Sequence, residues 1–141
     1  MHDERDIGGT LVRYTLACDR RDWALFEQVF VPDVRFCYDG EHWLQGRDKL
    51  VRMIRHFLEH CGPSQHLLGN TRIQVAGDEA ETACYVRAAH AGSGERAAQV
   101  YEVWGEYCDQ LVRTPEGWRI RERRLLVSHE TGSRDIMLPV A

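Results

Sequence analysis

Several common signatures are missing from this 141-residue chain. No apolar run approaches the ~20 residues needed to cross a bilayer, so no membrane partner is expected. The opening Met1-His2-Asp3-Glu4-Arg5-Asp6 is charged and lacks the apolar stretch of a secretory leader. Basic residues are not in excess. A net charge of −4 argues against nucleic acid, which is bound through a basic stripe. Phosphate-cradling glycine loops, the G-x-S-x-G elbow and the dinucleotide fingerprint are all absent. No C-x-x-C pair occurs among Cys18, Cys37, Cys61, Cys84 and Cys108. An odd number cannot pair off within one chain, and each cysteine falls in an apolar pattern, where a free thiol acts as a small hydrophobe. A reducing cytoplasm fits best.

One metal-like motif is present and is set aside. His56-Phe57-Leu58-Glu59-His60 matches the H-x-x-E-H pattern of a class of zinc peptidases. Its helix ends at Gly62-Pro63, and no third ligand is evident at a sensible position. Histidines near a helix C-terminus are also favoured by the dipole alone. No metal and no organic cofactor are expected.

Hydrophobic residues make up 43% of the chain, enough for a core in a single domain spanning 1–141. The core reads as 7–130, with a C-terminal tail, 131–141, that could pack on a neighbour. Ile7, Leu11, Tyr14 and Cys18 recur at helical spacing. Asp22 is a plausible N-cap for a short helix, Trp23 to Phe30, stopped by Pro32-Asp33. Val34, Phe36 and Tyr38 alternate as in a strand. A third helix lies between Gly46 and Gly62-Pro63, with Leu50, Ile54, Phe57 and Cys61 as its buried stripe. The period then changes. Strands are expected at 66–76, 80–90, 97–113 and 118–129, with a bulge or bend at Gly105. Arg119, Arg121, Arg123 and Arg124 lie in the last of these and read as one charged strand face. Helices followed by hairpin-linked strands give an α+β order, in which a bent sheet can curl around helices and leave a cavity at its open end.

His66 enters an apolar strand directly from a loop, in Ser64-Gln65-His66-Leu67-Leu68. A histidine so placed needs a partner for its second ring nitrogen. Asp19, at the end of the first helical pattern, is the best candidate. A carboxylate that fixes one imidazole tautomer is the minimal general-base device.

Four segments, RYTLACDRRDWALFEQVFVPDVRF, GRDKL, HLLGNTRIQV and LVRTPEGWRIRERRLLV, resemble in order and spacing the SnoaL-like branch of the NTF2-like superfamily, over residues 7–128. The resemblance implies a cone-shaped α+β barrel: a strongly curved antiparallel sheet wrapped on about three N-terminal helices around a pocket. In dehydratase and dehydrochlorinase members, a helix-end Asp pairs with a His at the start of the strand after the third helix. Asp19 and His66 fall on those positions. Tyr14 matches a pocket tyrosine of a bile acid dehydratase, and Tyr38 one of scytalone dehydratase. His90 lies near that enzyme's second histidine. Arg123 and Tyr107 match a pocket arginine and an aromatic wall of the dehydrochlorinase.

The implied activity is a cofactor-independent lyase or isomerase acting on a small hydrophobic cyclic ligand. Asp19, His66 and Tyr14 would carry the chemistry. Tyr38, His90, Tyr107 and Arg123 would bind substrate, and His90 or Tyr107 could protonate a leaving hydroxyl. A polyketide cyclase, a non-catalytic ligand-binding domain and a ring-hydroxylating dioxygenase small subunit are the alternatives. The resemblance also implies a homodimer or homotrimer, with the strand 97–113 and the tail as candidate contact elements.

Overall fold

The spacing of Ile7, Leu11, Tyr14 and Cys18 is realised as one buried face of helix α1, His2–Asp19. The computed structural model describes residues 2–140. After α1, Asp22 accepts from the Leu25 N–H and starts a 3-10 helix, Trp23–Gln28. Strand β1 follows, Phe30–Cys37, then a two-residue strand β2, Leu44–Gln45, and helix α2, Arg47–Leu58. Four long strands complete the fold: β3 Ser64–Ala76, β4 Glu79–Ala91, β5 Val100–Thr114 and β6 Gly117–Thr131.

The expected NTF2-like α+β architecture is present. The six strands form one sheet in the order β2-β1-β6-β5-β4-β3, curved but not closed. The sheet is mixed, because β1 runs parallel to β6 while the other pairs are antiparallel. The β1–β6 register breaks between Phe30 and Arg35, around Pro32, which has no N–H to give a ladder.

Two helical details differ from the sequence reading. The buried stripe of α2 is Leu50, Ile54 and Leu58, while Phe57 is exposed. The first 3-10 helix ends at Gln28, because Val29 and Phe30 turn inward and Phe30 opens β1. A 3-10 turn, Arg134–Met137, folds back on its own chain, with Ile136 fully buried. Arg96 holds it by donating to the Asp135 and Leu138 carbonyls. Residue 141 lies outside the described residues.

Bulges decide which side chains face the helices. On β5, Tyr101, Tyr107, Asp109 and Leu111 point inward. On β6, Trp118 and Ile120 point inward, and strict alternation would next bring Glu122 inside. The register slips between Gln110 and Leu111, so that Ile120 pairs with Leu111 while Glu122 pairs with Gln110. The extra residue on β6 reverses the phase. Arg123 is therefore the buried residue, not Glu122. The reading of the arginine series as one charged face fails at this residue.

Candidate active site

Asp19 ends α1 with its carboxylate near the negative pole of the helix dipole, an unfavourable place for an acid. Three donors compensate. Ser64 donates its hydroxyl to Oδ1 (3.0 Å), the His66 backbone N–H donates to Oδ2 (2.8 Å), and His66 Nδ1 lies 2.7 Å from Oδ1. β3 is an edge strand, so its outward N–H groups are unpaired until another element covers them. The end of α1 does this at His66. Burial pushes the Asp19 carboxyl upward, but hydrogen bonds from the His66 ring and backbone and from Ser64 outweigh it and hold the acid below its usual value. Ionised Asp19 can only accept, so Nδ1 of neutral His66 carries the proton and Nε2 carries the lone pair.

His66 is not alone. Its ring meets His90 edge-on at 5.6 Å and Tyr14 edge-on at 6.3 Å. His90 stands two registers away on β4, which pairs with β3. It is 4% exposed, and its Nδ1 lies 3.0 Å from the Tyr101 carbonyl, to which it donates. Burial lowers its pKa to about 4. His90 is thus neutral at pH 7, with Nε2 as an acceptor. In this state its one ring proton is held by the Tyr101 carbonyl.

Beyond Tyr14 lies a cluster of hydroxyls and one guanidinium. The Tyr14 and Tyr38 hydroxyls are 2.8 Å apart, and the Tyr107 ring packs edge-on against Tyr14 at 5.5 Å. Burial raises all three phenols, with Tyr38 reaching about 12, so they remain protonated. Arg123 slots between the rings, its guanidinium carbon 4.2 Å from Tyr14 and 3.9 Å from Tyr107. Nε and Nη2 each donate to Asp109 at 2.8 Å. Burial opposes this charge, but Asp109 outweighs it and keeps the pKa well above the ordinary value. Nη1 is buried and has no partner among the described residues.

All seven residues singled out from sequence thus belong to one contiguous array. Three contributors were missed. Asp109 was legible in principle, since Tyr107, Asp109 and Leu111 alternate. Ser64, and Arg21 whose Nη1 donates to Ser64 Oγ (2.7 Å), carried no signal, because their roles depend on contacts between distant segments. Two surface concavities lie away from the dyad. One of about 290 Å³ lies between the first 3-10 helix and α2, lined by Trp23, Phe26, Arg47 and Val51. Another of about 400 Å³ lies across β4, β5 and β6, lined by Tyr85, Arg87, Trp104, Leu126 and Val127. The H-x-x-E-H histidines lie on the exterior. His56 is exposed, and Glu59 pairs with Arg55. Among the described residues, no group of three or more His, Cys, Asp or Glu is placed to hold a metal.

Comparison with known proteins gives a consistent picture. A family model described as a SnoaL-like domain matches residues 1–124. The uncharacterized protein Rv2910c of Mycobacterium tuberculosis is 32% identical over 123 residues, covering 86% of this chain and 82% of that protein. A structure from Novosphingobium aromaticivorans, provisionally named a scytalone dehydratase, superposes with a TM-score of 0.83 at 23% identity, covering 92% of this chain and 87% of that one. The hexachlorocyclohexane dehydrochlorinase LinA-type3 of Novosphingobium barchaimii superposes at 0.76 with 13% identity, covering 94% and 88%. At such identities the structural likeness is one of fold. Among the described residues no helix is long and apolar enough to cross a membrane. The match over most of its length and the 32% identical relative place this chain in the SnoaL-like domain family.

Proposed function

We propose that the protein is a cofactor-independent lyase, dehydratase-like, acting on a small hydrophobic cyclic molecule that carries a carbonyl and a hydroxyl. The observation that carries this reading is the 2.7 Å contact of Asp19 Oδ1 with His66 Nδ1, with both side chains largely withdrawn from solvent. It leaves His66 Nε2 as a base.

The polarity of the surrounding groups supports the substrate class. Tyr14 and Tyr38 share one hydrogen bond between two hydroxyls, so one phenolic proton is left to donate. Arg123 Nη1 is a second free donor. These donors suit an oxygen that gains negative charge, as a carbonyl does when it becomes an enolate. His66 Nε2 and His90 Nε2 are acceptors and suit an acidic C–H and a hydroxyl. The Arg123–Asp109 pair is neutral as a unit, which favours a ketone over a carboxylate. In the proposed reaction, His66 Nε2 takes a proton from the carbon next to the carbonyl. Asp19 stabilises the resulting imidazolium. The carbon–oxygen bond to the hydroxyl then breaks, the proton passes from His66 to that oxygen, and water and a conjugated ketone are released.

The test is a panel of cyclic β-hydroxy ketones, read by the absorbance of the conjugated product. Wild type should turn over at least one. His66→Ala and Asp19→Asn should each lose about 10²–10⁴ in kcat with near-wild-type circular dichroism. Undiminished turnover in both variants would sink the mechanism.

A second reading, a binding subunit within a larger assembly, draws on the exposed apolar residues Tyr85, Trp104, Leu126 and Val127 on the outer sheet face. Ligand binding without turnover, together with copurification of a catalytic partner, would favour it.

A further inference from the structure

Arg21 occupies a conformation that a non-glycine residue rarely adopts. Its φ is 54°, in the left-handed region, just past the end of α1. Its side chain crosses to the turn that precedes β3 and makes contacts that account for the posture. Nη1 donates to the Cys18 carbonyl (2.8 Å) and to Ser64 Oγ (2.7 Å). Nη2 donates to the Gly62 carbonyl (2.6 Å) and lies 3.7 Å from Cys61 Sγ. The guanidinium therefore ties the end of α1 to the start of β3, the two segments that supply Asp19 and His66.

The contact with Ser64 has a chemical consequence. A serine hydroxyl has one proton and two lone pairs. Because Arg21 can only donate, Ser64 Oγ must accept from it, and its own proton is committed to Asp19 Oδ1. Oδ1 is the oxygen that faces His66 Nδ1. We propose that Arg21 is a positioning residue for the dyad: acting through Ser64, it locks the Asp19 carboxylate in the orientation that fixes the His66 tautomer. The function of this lock rests on the catalytic reading given above, but its existence does not.

The test reads the hydrogen bond itself. In ¹⁵N-labelled protein, the His66 Nδ1 proton is followed by NMR, and its exchange with water is measured. Arg21→Ala and Ser64→Ala should each shift this resonance and speed its exchange by about tenfold, the order expected for losing one charge-assisted hydrogen bond. Ser64→Ala leaves the Arg21 bonds to the Cys18 and Gly62 carbonyls in place, so it separates the relay from simple loss of fold. Arg21→Lys keeps the charge but cannot span all the acceptors, so it should fall between wild type and Arg21→Ala. If Arg21→Ala lowers the melting temperature yet both alanine variants keep the wild-type resonance and exchange rate, Arg21 is only a structural clamp and the proposal fails. A response to Arg21→Ala but not to Ser64→Ala overturns the route through serine. Because no outcome depends on turnover, these results stay separate from the fate of the lyase assignment.

Discussion

Asp109 and Arg123 stand directly opposite each other on β5 and β6 and close a two-bonded ion pair with no exposed side-chain surface. The pair lies beneath Tyr14 and Tyr107, so the polar end of the site is anchored by the sheet rather than by a loop. Its geometry offsets the cost of burial: Asp109 satisfies two of the guanidinium nitrogens and the Tyr14 and Tyr107 rings flank the group, while Nη1 keeps no partner among the described residues.

Removing one partner strands the other charge in the core. Asp109→Leu and Arg123→Met should each lower the unfolding free energy by about 3–5 kcal/mol, whereas the two combined should regain much of the loss. Urea denaturation of the single and double variants, treated as a double-mutant cycle, measures the coupling.

His90 sets a pH limit on the fold. Its folded pKa of about 4 lies below the ordinary 6.5, so the unfolded chain binds this proton more readily. The stabilisation from keeping it neutral is fully present above about pH 6.5. It is lost as pH falls through that value towards and below 4, up to about 3 kcal/mol. His90→Gln should flatten the stability profile over this window when denaturation midpoints are compared at stepped pH.

The Tyr14–Tyr38 pair separates packing from chemistry. Tyr38→Phe deletes one hydroxyl of the 2.8 Å contact and should cost only about 1 kcal/mol of stability. On the proposed reaction, the same variant should lower kcat by about 10²–10³ with little change in KM, because the lost donor serves the developing oxyanion. Steady-state kinetics on a substrate turned over by wild type would decide; an unaltered kcat would remove Tyr38 from the mechanism.

Gly132 governs the docking of the C-terminal segment. Its φ is 87°, and a Cβ there would sit 1.9 Å from the Val100 carbonyl oxygen. Gly132→Ala should therefore displace residues 133–138 and expose Ile136, at a cost of about 2 kcal/mol or more. Limited proteolysis should detect faster cleavage in this segment than in wild type.

Much of the architecture was readable in the order of residues. The α1 stripe, the change of period at β3 and the turn glycines each carry a local signal with a physical cause. The register break at Gly105 matched its glycine, whose missing side chain leaves room for the Leu126 carbonyl 2.8 Å from where a Cβ would be. Phe57 was misplaced on α2 because an apolar residue fits a helical stripe on either side of the true one, and only packing chooses between them.

The dyad was legible because its two members are ordinary in type but unusual in place: an acid ending an apolar helix and a histidine opening an apolar strand. Sequence by itself determined the fold class, the element order and this pairing of candidates, since each follows from local periodicity and capping or from motif order. Tertiary structure alone decided that Arg123 is buried, because one bulge in β6 reverses the faces of the residues that follow it up to the next bulge. It also decided that Asp109 neutralises Arg123, that His90 is held neutral, and that Arg21 reaches Ser64. Each depends on cross-strand register or on contacts between segments more than ten residues apart, which no local pattern encodes.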